Sequence, residues 1–179
     1  MRDDALYREL GILTNDRDRW SERIPYVSSL LSHGSVRIRA KALWLLGEMG
    51  LRYPTQVQST VPAIASFLDS PTPILRERAV NALGRIGRGS FPVIEPYWIS
   101  LFRFASDADA GVRLSFVWAS ENIAVNSPDV YAEHLPTFAC VSSVDSSESG
   151  SWSRIPAAAD LTYLIKTLPA IRCRSTYEV

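Results

Sequence analysis

Apolar positions along this chain return every 37 residues. Ile38-Arg39, Leu75-Arg76 and Val112-Arg113 share one register; Ala42-Leu43, Ala79-Val80 and Phe116-Val117 follow them, then Met49, Ile86 and Ile123. A second set lies upstream at Ile24, Val61, Trp98 and Leu135, and again three residues on at Val27, Ile64, Leu101 and Phe138. A fixed period of this size marks a solenoid, whose units bury their apolar faces only against neighbouring units.

Within the central unit, Pro54 to Gly89, two helical periods stand side by side. Val57, Val61, Ile64, Ala65 and Phe67-Leu68 recur at three- and four-residue spacing, which predicts an amphipathic helix. Pro54 suits its first turn, where a missing N–H costs nothing. The run Asp69-Ser70-Pro71-Thr72-Pro73 stops it, because proline disfavours helix in the residue before it. A second helix follows through Leu75, Ala79-Val80, Ala82-Leu83 and Ile86. Gly87-Arg88-Gly89 is expected to end that helix with a left-handed glycine cap. Each unit is thus a helical hairpin. Pro25 and Pro62 fall one period apart and Pro136 two periods beyond Pro62, which predicts a repeated kink in the first helices.

These features resemble HEAT repeats. That family places a proline within the first helix, an aspartate near the inter-helix turn, and an apolar-Arg pair at the start of the second helix. Pro25, Pro62 and Pro136 match the first feature, and Ile38-Arg39, Leu75-Arg76 and Val112-Arg113 the third. Asp107 matches the turn aspartate, whereas His33 and Ser70 stand there in the other units. Ladders of arginine and aspartate between repeats are therefore in question for the first two units. The resemblance covers about residues 20–140. It implies an all-α fold, an α-α superhelix built as a right-handed solenoid of about four hairpins, with the second helices lining a concave face. It says little about function, because fold and function are separable.

The same register organises the ends. One period back from Ala42-Leu43-Trp44 lies Ala5-Leu6-Tyr7, and one back from Met49 lies Ile12, so residues 1–19 read as a half repeat. Repeats follow at about 20–53, 54–89 and 90–126, then a degenerate repeat at 127–168, all in one domain spanning 1–169. The stretch 145–153 is polar and serine-rich, helical pattern returns at Ala157–Leu168, and 170–179 reads as a flexible tail. Because the chain opens in mid-repeat, a piece of a longer solenoid is one expectation.

Charge and cysteine content narrow the function classes. Nineteen basic side chains balance nineteen acidic ones, so no global field draws in nucleic acid or an anionic membrane. Cys140 and Cys173 have no metal-ligand spacing and suit a reducing compartment. Acidic residues at the N-terminus and the lack of a long apolar run point to a cytoplasmic protein without a membrane span.

The candidate site is a column facing outward on the second helices: Tyr7, Trp44, Asn81 and Trp118, each 37 residues apart. Asp4, Lys41, Arg78 and Ser115 stand one turn toward the helix start, and Glu48, Arg85 and Asn122 one turn the other way. Exposed aromatics among charges match the chemistry of interaction hot spots. A tryptophan at a helix edge also serves as a half-buried staple across the neighbouring repeat, and both readings stay open. The partner-binding set expected from this pattern is Tyr7, Trp44, Asn81, Trp118, Lys41, Arg78 and Arg85. Arg39, Arg76 and Arg113 read as structural, and Asp107 and Asp109 as turn and N-cap residues.

Enzyme readings rank lower. The two histidines, His33 and His134, have no partner histidine at helical spacing, and the hydrolase, zinc-protease and phosphate-loop motifs are absent. Diiron hydroxylases of this architecture carry His-Glu dipeptides, which this chain lacks. HEAT-like alkylpurine DNA glycosylases have a strongly basic face, which a net charge of zero does not supply. For tetrapyrrole lyases, which would hold a chromophore on the same face, the sequence offers no test. The expectation is a non-catalytic scaffold without a cofactor or metal that binds a protein or peptide on its concave face. The alternative is a nucleic-acid-binding or DNA-repair-related protein using Lys41, Arg78 and Arg85.

Overall fold

The computed structural model describes residues 3–127 and 129–132, and every regular element among them is helical. Helix α1 spans Asp3–Asn15, α2 Trp20–Ser29 and α3 Val36–Arg52. The next first-layer segment is broken into α4 (Pro54–Val57) and α5 (Val61–Ala65), followed by α6 (Pro73–Gly89). Then come α7 (Phe91–Trp98), α8 (Ala110–Asn126) and the short α9 (Asp129–Ala132). The 3-10 turns Arg17–Arg19, Leu30–Ser32, Gln58–Thr60, Ser66–Asp69 and Ile99–Ser106 fill the first layer.

The second helices keep the 37-residue period at both ends. Helices α3, α6 and α8 are each 17 residues long and begin at Val36, Pro73 and Ala110. They stop the same way: the N–H groups of Tyr53, Ser90 and Ser127 donate to Met49, Ile86 and Ile123 carbonyls at 2.7, 2.8 and 2.9 Å. Tyr53 precedes Pro54, which excludes it from helix. The expected left-handed glycine cap is not what ends α6. Gly87 lies inside the helix, and the cap residue Ser90 is extended at φ −163°.

Gly87 instead serves packing. A Cβ there would sit 2.8 Å from Ile123 Cγ1 and 2.9 Å from Ile94 Cγ1. A second pair of glycines marks where the second helices cross. A Cβ on Gly47 would lie 2.8 Å from Ala82 Cα, and one on Gly84 would collide with the backbone of Ala119. Small residues at the crossing let α3 approach α6 and α6 approach α8 backbone to backbone. The third member of this glycine register is Glu121, which is exposed.

The predicted core is buried where it is described. Trp20, Ile24 and Val27; Val57, Val61 and Ile64; and Ile94, Trp98 and Leu101 form the first-layer side. Ile38, Leu43 and Met49; Leu75, Val80 and Ile86; and Val112, Phe116 and Ile123 form the second. Leu135 and Phe138 lie outside the described residues. Tyr131 stacks edge-on against Trp98 at 4.5 Å and continues the Val57–Ile94 register, so the chain enters a further unit at α9.

Two expectations are corrected. The prolines do not all act alike: Pro25 stands inside an uninterrupted α2, whereas Pro62 follows a break and starts α5. Lacking an N–H, Pro62 cannot bond back across the Gln58–Thr60 turn, so α-geometry restarts at Val61. Pro136 lies outside the described residues. The α1 register also fails at Ile12, which is 71% exposed, while Leu13 is buried. Helix α1 rests on α3 and the Arg17–Arg19 turn, and Trp20 Nε1 donates to Leu13 O at 2.8 Å, so the buried edge of α1 follows Leu6, Leu10 and Leu13.

Candidate functional site

The turns between first and second helices repeat one device with three different side chains. His33 Nδ1, Ser70 Oγ and Asp107 Oδ1 each accept the backbone N–H two residues on, from Ser35, Thr72 and Asp109, at 3.1, 3.2 and 2.9 Å. The turn therefore keeps this hydrogen bond in the first two units without an aspartate. It does change the link between units. Arg76 donates to both Asp107 carboxylate oxygens, at 2.9 and 2.8 Å, from the preceding unit, and also to Ser70 O. Arg39 stands in the same register one unit earlier, faces no aspartate at Ser70, and keeps a buried Nε without a hydrogen bond. Arg113 donates to the Asp107 and Ala108 carbonyls, and Asp109 caps α8 by accepting from Gly111 and Val112. On this side of the fold, Arg76 and Arg113 are thus engaged within the chain.

The opposite side of the second helices carries the outward column. Residues three and four apart on a helix share a face. Helix α3 therefore presents Arg37, Lys41, Trp44 and Glu48 as one stripe, and α6 presents Ile74, Arg78, Asn81 and Arg85. Helix α1 adds Asp4 and Tyr7. Between the three helices lies a groove of about 600 Å³, lined by Tyr7, Val36, Arg37, Ala40, Lys41, Trp44, Ile74 and Arg78.

Cations lie across the aromatics of the groove. The Arg37 guanidinium sits 3.9 Å from the centre of the Tyr7 ring and donates to Asp4 Oδ1 at 3.1 Å. The Lys41 ammonium lies 4.3 Å from the centre of the Trp44 ring. Such cation–π contacts hold long side chains flat against their aromatic neighbours. Burial pulls the Lys41 amine below the usual lysine range; Tyr7 opposes that shift and Arg78 adds to it.

Four predicted residues, Tyr7, Trp44, Lys41 and Arg78, thus share one groove. The other three do not. Arg85 bridges to Glu48 across the α3–α6 boundary, and Asn81 Nδ2 donates to Ser115 Oγ at 3.1 Å. Ser115 itself is only 2% exposed, contrary to its expected outward position, because it turns under Asn81 between α6 and α8. Trp118 is 50% exposed on α8 and does not line the groove; Leu114, one turn before it, and Val125, two turns after it, are 39% and 51% exposed. The column pattern missed Leu114 and Val125, and also Arg37 and Ile74. One turn before Trp118 the helix spacing does reach Leu114, four residues away, whereas Arg37 lies seven residues before Trp44 and joins the groove across to Tyr7.

Residues 36–86 match a family model described as HEAT-like repeat. These residues form a HEAT-like repeat. No curated protein matches the chain. The HEAT-like stretch runs from the start of α3 through most of α6, so it holds the Gly47–Ala82 crossing and the groove residues Arg37, Lys41, Trp44, Ile74 and Arg78. Together with the stacked helical pairs among the described residues, the match is consistent with an all-α HEAT-like solenoid. HEAT-like repeats commonly serve as helical scaffolds in protein interactions. Among the described residues no helix is long and apolar enough to cross a membrane.

Proposed function

We propose that this protein is a non-catalytic, cytoplasmic scaffold that binds a protein or peptide on the face formed by its second helices. The observation that carries this reading is Trp118. A tryptophan left half exposed one turn from the exposed Leu114 keeps apolar surface in water at a cost that partner burial would remove. The groove around Trp44 supports the same face, because it joins aromatic walls to cations, the residue types that dominate hot spots. In the HEAT-like arrangement this face would be the concave one.

Affinity capture from native lysate tests the proposal, comparing the wild-type chain with a Trp44→Ser/Trp118→Ser double variant shown to be folded by circular dichroism. Loss of a specific partner in the folded variant supports this face. Equal capture by both moves the site elsewhere.

A further inference from the structure

Taking the second-helix face as an interaction surface, as proposed above, we infer that the groove between α1, α3 and α6 receives an acidic peptide segment. Its carboxylates meet Lys41 and Arg78, and an apolar side chain lies against Trp44 and Ile74.

Three cations line this groove and no carboxylate does. Their compensation is unequal. Arg37 is tied to Asp4 at 3.1 Å, and Arg78 reaches Glu77 only at 3.6 Å. Lys41 makes no salt bridge within 4.0 Å among the described residues, although it is half-buried beside Arg78. Holding a partly desolvated ammonium next to a second cation is unfavourable, and an incoming carboxylate relieves both terms at once.

The walls set the rest of the ligand. Trp44, Ala40 and Ile74 offer an apolar floor, and the volume of about 600 Å³ admits a few side chains rather than a folded surface. A basic segment would meet like charge. A nucleic-acid backbone needs a run of cations along its phosphates. Here the face continues through neutral Asn81 and is bordered by Asp4, Glu48 and Glu77. The charge pattern is a short cationic pocket, not a track.

Lysine chemistry supplies a direct readout, because Lys41 and Lys166 are the only lysines in the chain. The full chain is mixed with degenerate synthetic peptides of Asp and Glu around a Leu or Phe. Parallel sets replace the acids by Asn and Gln, or by Lys, and a single-stranded oligodeoxynucleotide is run alongside. Binding is followed by fluorescence anisotropy, and acylation of Lys41 by mass spectrometry with Lys166 as the internal reference.

The acidic set is expected to bind and to slow Lys41 acylation several-fold. Lys41→Ala/Arg78→Ala, folded by circular dichroism, should weaken binding about tenfold or more. Lys41→Arg should retain it. Failure of the acidic set to protect Lys41 overturns the inference, as does protection by the Lys peptides or the oligonucleotide. If the Asn/Gln peptides bind equally well and are lost on Trp44→Ser, the acidic ligand is wrong while the interaction face stands. Loss of lysate capture in the tryptophan variant without any protection of Lys41 likewise overturns the groove assignment alone.

Discussion

Arg76 and Asp107 are joined across a repeat boundary by two parallel hydrogen bonds of 2.9 and 2.8 Å, with side chains only 17% and 10% exposed. A forked guanidinium facing both carboxylate oxygens is the strong geometry for such a pair. Asp107→Asn keeps an acceptor for the Asp109 N–H but removes the charge. It should cost about 1.5–3 kcal/mol in urea unfolding, the range for hydrogen bonds to charged groups.

The same pair sets a pH dependence. The Arg76 hydrogen bonds hold the Asp107 carboxyl below its ordinary value against an opposing effect of burial. The unfolded chain, with an ordinary aspartate value of about 3.9, then binds the proton first as pH falls. The stabilisation is fully present above that value and is lost as pH drops through the lower folded one. Urea unfolding across pH should show the wild type converging on Asp107→Asn in acid, with a constant gap near neutrality. A gap that widens in acid would contradict the pairing.

Ser70 leaves the equivalent link unmade. Ser70→Asp should give Arg39 the partner that Arg76 already has, while keeping the turn contact to the Thr72 N–H. The gain expected is about 1 kcal/mol and should vanish in an Arg39→Met background, which a double-mutant cycle measures. Persistence of the gain without Arg39 would assign it to the turn alone.

Glycines separate by what faces them. Gly84→Ala drives a methyl into the Ala119 backbone and should destabilise by about 1–3 kcal/mol, the usual cost of overpacking. Gly11, within α1, has nothing within 4 Å, and Gly11→Ala should stabilise by about 0.5–1 kcal/mol through helix propensity. Thermal unfolding of the two variants should therefore move in opposite directions.

How much of this was legible in the sequence depends on what each position touches. Ile38, Leu75 and Val112 were readable because a residue buried inside its own hairpin needs only the local period. Gly87 was misread as a cap because its role depends on Ile94 and Ile123, which belong to the next unit. Ser115 was placed outward by spacing, yet it is buried by Asn81 on the neighbouring helix. The groove was half visible. Tyr7, Lys41, Trp44 and Arg78 follow the column, whereas Arg37 and Ile74 enter it only through the way α1, α3 and α6 pack.

The two tryptophans should differ in stability cost. Trp118→Ser removes a half-exposed ring and should cost less than about 1 kcal/mol. Trp44→Ser also removes the platform under Lys41 and part of the packing against the core, and about 1–3 kcal/mol is expected. Equal and large costs for both in denaturant unfolding would make Trp118 a staple between repeats.

Which face meets a partner is decided most directly by hydroxyl-radical footprinting of the full chain, purified and again in complex with the protein it captures. Trp118 on the second-helix side and Ile99, 58% exposed on the first-helix side, report the two faces in one experiment. The account predicts protection of Trp118 and Trp44 with Ile99 unchanged. Protection of Ile99 with Trp118 still fully reactive would contradict it.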